Sequence, residues 1–119
     1  MPNKNEHINQ AKHNDLYWNH LNSQSTPFLD WTIVGLFYEA VHWVEAFLAT
    51  KEEHSANHDQ RLSAIHSHAE LRSLYSPFRL LKDDSEAARY RCFKHSQSQV
   101  QTDMVPRIYT IRRLIQQLI

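Results

Sequence analysis

The chain has 119 residues, 41% of them apolar and 22% charged, the make-up of one folded domain over residues 1–119 rather than of a disordered tail or a fibre. One Gly and four Pro are too few turn formers for a β-rich fold of this length, so the composition points to helices. Thirteen Lys and Arg balance thirteen Asp and Glu, which excludes a strong nonspecific pull of the whole molecule toward nucleic acid or anionic membrane, although residues 89–119 hold six basic side chains against the single Asp103.

Taken in chain order, a first amphipathic helix is expected from about Glu6 to Leu21, with Ile8, Ala11, Leu16, Tyr17 and Trp18 on its stripe and a polar linker, Asn22 to Pro27, after it. The second helix, from Phe28 or Asp30 to Thr50, is apolar around most of its circumference and reads as the central one, with Gly35 permitting close packing. Asp30, Glu39, His42 and Glu45 interrupt it and argue against a membrane span, so no membrane partner is expected. A third helix starts at Asp59 as its N-cap and runs toward Tyr75, where Ser76-Pro77 breaks or kinks it. Ser85 or Asp84 then caps a short helix through Ala87, Ala88 and Arg89. Val100, Met104, Ile108, Ile111, Ile115 and Leu118 form the clearest helical stripe. Pro106 lies inside it, either in the first turn of a helix starting near Thr102 or Asp103 or at a kink in a longer one. The fold class is therefore all-α, a bundle of four to five helices. The lone Cys92 leaves no internal disulfide framework or multi-Cys zinc site, and the Met1-Pro-Asn-Lys4 start does not read as a signal peptide, so a reduced, cytoplasmic protein is expected.

Three groups of residues are candidates for chemistry. Nine histidines raise the question of a metal, and His54 and His58, four apart, are the best-spaced pair, but no third ligand or zinc-protease pattern accompanies them. No metal or cofactor is assigned, and a histidine metal site stays as the minor alternative. Tyr38, His42 and Glu45 line one side of the central helix and, being polar in an apolar element, must face a site, a polar network or a partner chain. The segment Ala88-Arg-Tyr-Arg-Cys-Phe-Lys-His95 concentrates guanidinium, ammonium, aromatic and imidazole groups. Such a set can bind phosphate through Arg89, Arg91 and Lys94, stack a base on Tyr90 or Phe93, and move a proton through His95, or it is a solvated basic turn.

Asp30-Trp31, Phe37-Tyr-Glu-Ala-Val-His42, His54, His58-Asp-Gln-Arg61, Tyr75, Ser85 and Ala88-Arg89-Tyr90 together, from about Asp30 onward, resemble small bacterial proteins of the HEPN superfamily, the nucleotide-binding helical module of higher eukaryotes and prokaryotes. The resemblance implies an up-and-down HEPN-like bundle that pairs as a homodimer. It also implies a metal-independent endoribonuclease of a toxin–antitoxin or defence system, sometimes partnered by a nucleotidyltransferase-type antitoxin. The alternative is a noncatalytic module that binds a nucleotide, RNA or a protein. The catalytic signature of that superfamily, an Arg followed after four to six residues by a His, falls on Arg89 and His95, with Tyr90 where a polar Asn or Asp usually stands; Arg61 with His66 or His68 has a similar spacing. Under that resemblance, Arg89 stabilises phosphate charge and His95 moves the proton. Tyr38, His42, His58, Arg61, Tyr90, Arg91 and Lys94 form the ligand-binding set.

Overall fold

The computed structural model describes residues 1–23 and 25–119, and no strand occurs among them. The first helix, α1, spans Lys4–Asn22 and starts on a reciprocal cap: the Asn3 side chain accepts from the Glu6 amide, and the Glu6 carboxylate accepts from the Asn3 amide. That cap draws the start two residues ahead of the expected Glu6. The central helix, α2, spans Leu29–Thr50 and packs most extensively on α1, antiparallel to it, so that His7 meets His42 while Tyr17 and Trp18 meet Gly35. A Cβ built on Gly35 would stand 3.0 Å from the Trp18 Cβ and 3.1 Å from the Tyr17 ring, so the expected close contact is there and requires the missing side chain.

The middle of the chain departs from the expected boundaries. The third helix, α3, spans His58–Ser67, and its N-cap is Asn57, whose side chain accepts from the Gln60 amide, rather than Asp59. It stops at His68, whose backbone is extended and whose ring is held by Glu53 at 2.9 Å and packs edge-on against Phe47. A tight 3₁₀ segment, Ala69–Leu74, follows. The fourth helix, α4, then runs unbroken over Tyr75–Tyr90. Pro77 sits in its first turn, where a missing N–H costs nothing, so Ser76-Pro77 opens a helix instead of breaking one. Ser85 does not cap a short helix as expected: it lies inside α4 and forms one buried stripe with Phe78, Leu81 and Ala88.

A short helical turn, Gln97–Gln99, and a π turn, Val100–Met104, lead into α5, Val105–Leu118. Pro106 lies in the first turn of α5, immediately after the π turn, which widens the ladder where proline supplies no donor. Val100, Met104, Ile108, Ile111 and Ile115 are all buried, so that stripe serves the interior; Leu118 at its end is exposed. The core gathers around α2, against which α1, α4 and α5 all pack, with Trp18, Phe37, Trp43 and Phe78 as its largest side chains. Each such side chain contributes roughly 1.5–3 kcal/mol on burial. Among the described residues α2 alone is long and apolar enough to cross a bilayer, and 78% of its most apolar window is enclosed by the other helices, as in a core helix.

One carboxylate ties three helices. Glu39, fully buried, accepts from the indoles of Trp18 at 2.7 Å and Trp43 at 2.8 Å and from Arg112 at 2.8 and 3.0 Å, while Arg112 also reaches Asp15 at 2.8 Å. Every acceptor position of this buried charge is thus answered by a donor, which is what makes its burial tolerable.

Candidate functional site

The polar side of α2 follows from helical periodicity: Trp31, Val34, Tyr38, His42 and Glu45 recur at three or four residues and stand on one face. Other helices bring partners to it. At the deep end, Glu45 is 3% exposed and accepts from Arg61 Nε at 2.8 Å, with His54 Nδ1 3.8 Å from its second oxygen. Arg61 Nη1 lies 2.7 Å from His58 Nδ1; since a guanidinium only donates, that ring nitrogen accepts and the His58 proton is on Nε2. His42 and His7 bring their Nδ1 atoms to 3.0 Å, a hydrogen bond that needs one donor and one acceptor and therefore at least one neutral ring. Burial is the first cause lowering all three imidazoles from their ordinary value. In His42, pushed down to about 4, His7 and then Arg61 add to it; in His58, Arg61 and Arg89 do. At neutral pH the side of α2 thus presents uncharged imidazoles beside guanidinium groups.

The shallow end is built on α4. Arg89 Nη1 donates to the Tyr38 hydroxyl at 3.3 Å, and its guanidinium stands 5.7 Å from the Tyr38 ring centre and 4.9 Å from that of Tyr90. Among the described residues Arg89 forms no ion pair. Arg89 and Tyr90, together with Asp30, Trp31, Val34 and Ala88, enclose a cleft of about 260 Å³. A second cleft of about 360 Å³, with Tyr17, Tyr38 and His42 in its wall, shares Trp31 and Val34 with the first, so the two adjoin along α2. Trp31 is 51% exposed and Tyr90 74% exposed, so flat aromatic surface is open to a ligand there.

His95 is elsewhere. Cys92 takes a left-handed backbone (φ 54°), and the Phe93 amide folds back onto the Ala87 carbonyl at 3.1 Å. The chain then returns along α4, and the His95 ring packs at a tilt against Phe93 with Nε2 3.6 Å from Asp84. Its side chain is only 6% exposed and its Nδ1 is buried with no partner among the described residues. Arg107 also reaches Asp84, at 3.2 Å; burial, the leading cause, nonetheless raises the Asp84 carboxyl above its ordinary value against the opposing influence of His95 and Arg107. His95 borders a cleft of about 210 Å³ with Asp84 and Arg107 and another of about 120 Å³ with Lys94 and Asp30.

Of the residues expected from sequence, Tyr38, Arg89 and Tyr90 are therefore together, His58 and Arg61 join them through Tyr38 and Phe37, and His42 lies further along the same face. Lys94 and His95 occupy a neighbouring cleft that shares Asp30 as a wall with the Arg89 cleft, and Arg91 is exposed. Arg89 and His95 make no hydrogen bond or ion pair with each other. His54 and His58 are engaged separately, by Glu45 and Arg61, and among the described residues no three His, Cys, Asp or Glu side chains converge on a possible metal position. Two contributors went unread as site residues. Trp31 was visible as an apolar residue at the start of the central helix beside a carboxylate, whereas the pairing of His7 with His42 depends on the α1–α2 register and has no local signal.

The fold and site define an all-α bundle with a polar, aromatic-lined face along its central helix. Comparison with protein-family models, with curated proteins and with solved structures finds no match to this chain.

Proposed function

We propose that this chain is a HEPN-like module that binds RNA or a nucleotide in the adjoining clefts along α2. The observation that carries the reading is Arg89: a guanidinium without a carboxylate partner among the described residues, layered against Tyr38 and Tyr90, in a cleft whose other wall is the half-exposed Trp31. A phosphate oxygen supplies the anion that the guanidinium lacks, and a base supplies a flat face for the exposed rings. Stacking of this kind contributes roughly 1–3 kcal/mol per base. Arg91 and Lys94, both exposed beyond the α4 end, add attraction for a phosphate backbone.

The test is titration of a labelled single-stranded RNA and of mononucleotides in chelator. The wild type binds, with affinity falling as salt rises, and Arg89→Ala weakens binding about tenfold or more without unfolding the bundle. Absence of binding by the wild type at low salt contradicts the reading.

Metal-independent cleavage is a second reading, with His95, which borders two clefts beside Asp84, as the group that moves the proton once its buried Nδ1 is opened to the strand. In that reaction a ribose 2′-hydroxyl loses its proton to His95 and attacks the adjacent phosphorus, the 5′-oxygen leaves with a proton, and a cyclic phosphate end forms. Arg89 stabilises the phosphate oxygens. Because the two side chains border different clefts of one chain, this reading calls on a homodimer or on a strand lying across both clefts. Cyclic phosphate products in chelator, lost in His95→Ala, support it; binding without products leaves the module.

A further inference from the structure

We infer that the Arg89 cleft is specific for guanine, with the Asp30 carboxylate as the group that reads the base. The inference rests on the proposed nucleotide-binding role of this cleft and names its ligand. Asp30 and Arg89 carry opposite charges in the walls of one cleft of about 260 Å³, yet among the described residues they form no ion pair with each other or with any other side chain. Unpaired with each other, they can each take a part of one ligand, adjacent hydrogen-bond donors for the carboxylate and an anion for the guanidinium. Trp31 and Tyr90, exposed in the same cleft, fix the part between as a flat ring.

The donors select among bases. A carboxylate only accepts, so it seeks N–H groups side by side. Guanine presents two, the ring N1–H and the exocyclic 2-amino group, to which both oxygens of Asp30 can bind at once. Adenine and cytosine each set one amino donor beside a ring-nitrogen acceptor, and uracil flanks one N–H with two carbonyl oxygens. In each of those cases an acceptor faces the carboxylate and repels it. Asp30 is placed for this by the fold: it stands in the first turn of α2, where the helix dipole favours a negative side chain, and borders the cleft rather than the core. Two sources share this chemistry, a free guanine nucleotide and a guanosine within single-stranded RNA.

Calorimetric titration of the full chain with GMP, IMP, AMP, CMP and UMP tests the inference. GMP is expected to bind about tenfold more tightly than AMP, CMP or UMP, with IMP, which lacks only the 2-amino group, between them. Asp30→Asn should collapse the GMP to AMP ratio toward one. A short single-stranded RNA with one guanosine, compared with its inosine counterpart, separates the sources: preference confined to the RNA pair assigns the site to RNA, preference among mononucleotides to the free nucleotide. Equal affinity for all five mononucleotides and for both RNAs overturns the guanine inference while the binding role stands, as does a ratio unchanged in Asp30→Asn. Loss of all binding, to every nucleotide and RNA, overturns both. The wild-type ranking with IMP decides without mutagenesis if the variant does not fold.

Discussion

Arg89, Tyr38 and Tyr90 meet because helical spacing puts Tyr38 on the polar side of α2 and because the last turn of α4 ends beside it. The place of Tyr38 on that side, in line with His42 and Glu45, was legible from periodicity, whereas its meeting with Arg89 and Tyr90 was implied only by the family resemblance. The separation of Arg89 from His95 was not: five intervening residues say nothing of the left-handed turn at Cys92 that sends the second side chain back to Asp84. The imidazoles also set a residue-scale expectation. His42 is held at about 4, and His7 and His58 lie below their ordinary 6.5, so between those values the unfolded chain binds more protons than the folded one. Stability is therefore fully present above about pH 7 and is lost as pH falls through this window; Asp84, whose carboxyl is raised from 3.8, acts in the opposite sense. Thermal melts from pH 8 to pH 4 should show a melting temperature that is level at first and then declines. His42→Asn should flatten the decline, and a wild-type profile that stays level or rises on acidification contradicts this assignment.

At the scale of elements, α2 was readable because it is apolar around most of its circumference and α5 because its stripe repeats at three and four residues, and both supply the core. The breaks around α3 and α4 were not, because Pro77 is compatible with a first turn as well as with an interruption, and a buried serine does not distinguish itself from a cap by local sequence. Glu39 was seen only as an interruption of an apolar run. Its role emerges when α1 contributes Trp18 and α5 contributes Arg112. Removing Arg112 leaves that buried charge with its two indole donors alone, so Arg112→Ala should cost about 3–5 kcal/mol in urea unfolding. Arg112→Lys should recover part of this, since the charge remains and the two-pronged geometry does not. A loss below about 1 kcal/mol in the alanine variant would show that the three helices do not depend on this carboxylate.

For the molecule as a whole, one bundle of 119 residues and near-zero net charge confines any nucleic-acid attraction to a local surface. Arg89, Arg91 and Lys94 with the clefts along α2 supply that surface at the α4 end, whereas Arg107 and Arg112 are spent on Asp84, Asp15 and Glu39. Leu16, Phe28 and Phe93 are exposed as well, apolar surface suited to the second copy of the chain proposed with the cleavage reading. If cleavage proceeds through that second copy, multi-angle light scattering should return twice the mass of one chain at micromolar concentration; a monomer across that range removes the dimer and leaves the strand lying across both clefts.

The most direct measurement uses the three indole N–H resonances of the isotopically labelled protein. Those of Trp18 and Trp43 are bonded to Glu39 in the interior, whereas Trp31 stands half-exposed in the proposed binding cleft. On addition of single-stranded RNA or GMP, the Trp31 signal should move, with the Arg89 and Tyr90 amides, while the other two indoles stay in place. Ligand-induced shifts that leave Trp31, Arg89 and Tyr90 untouched and gather on another face of the bundle would contradict the account.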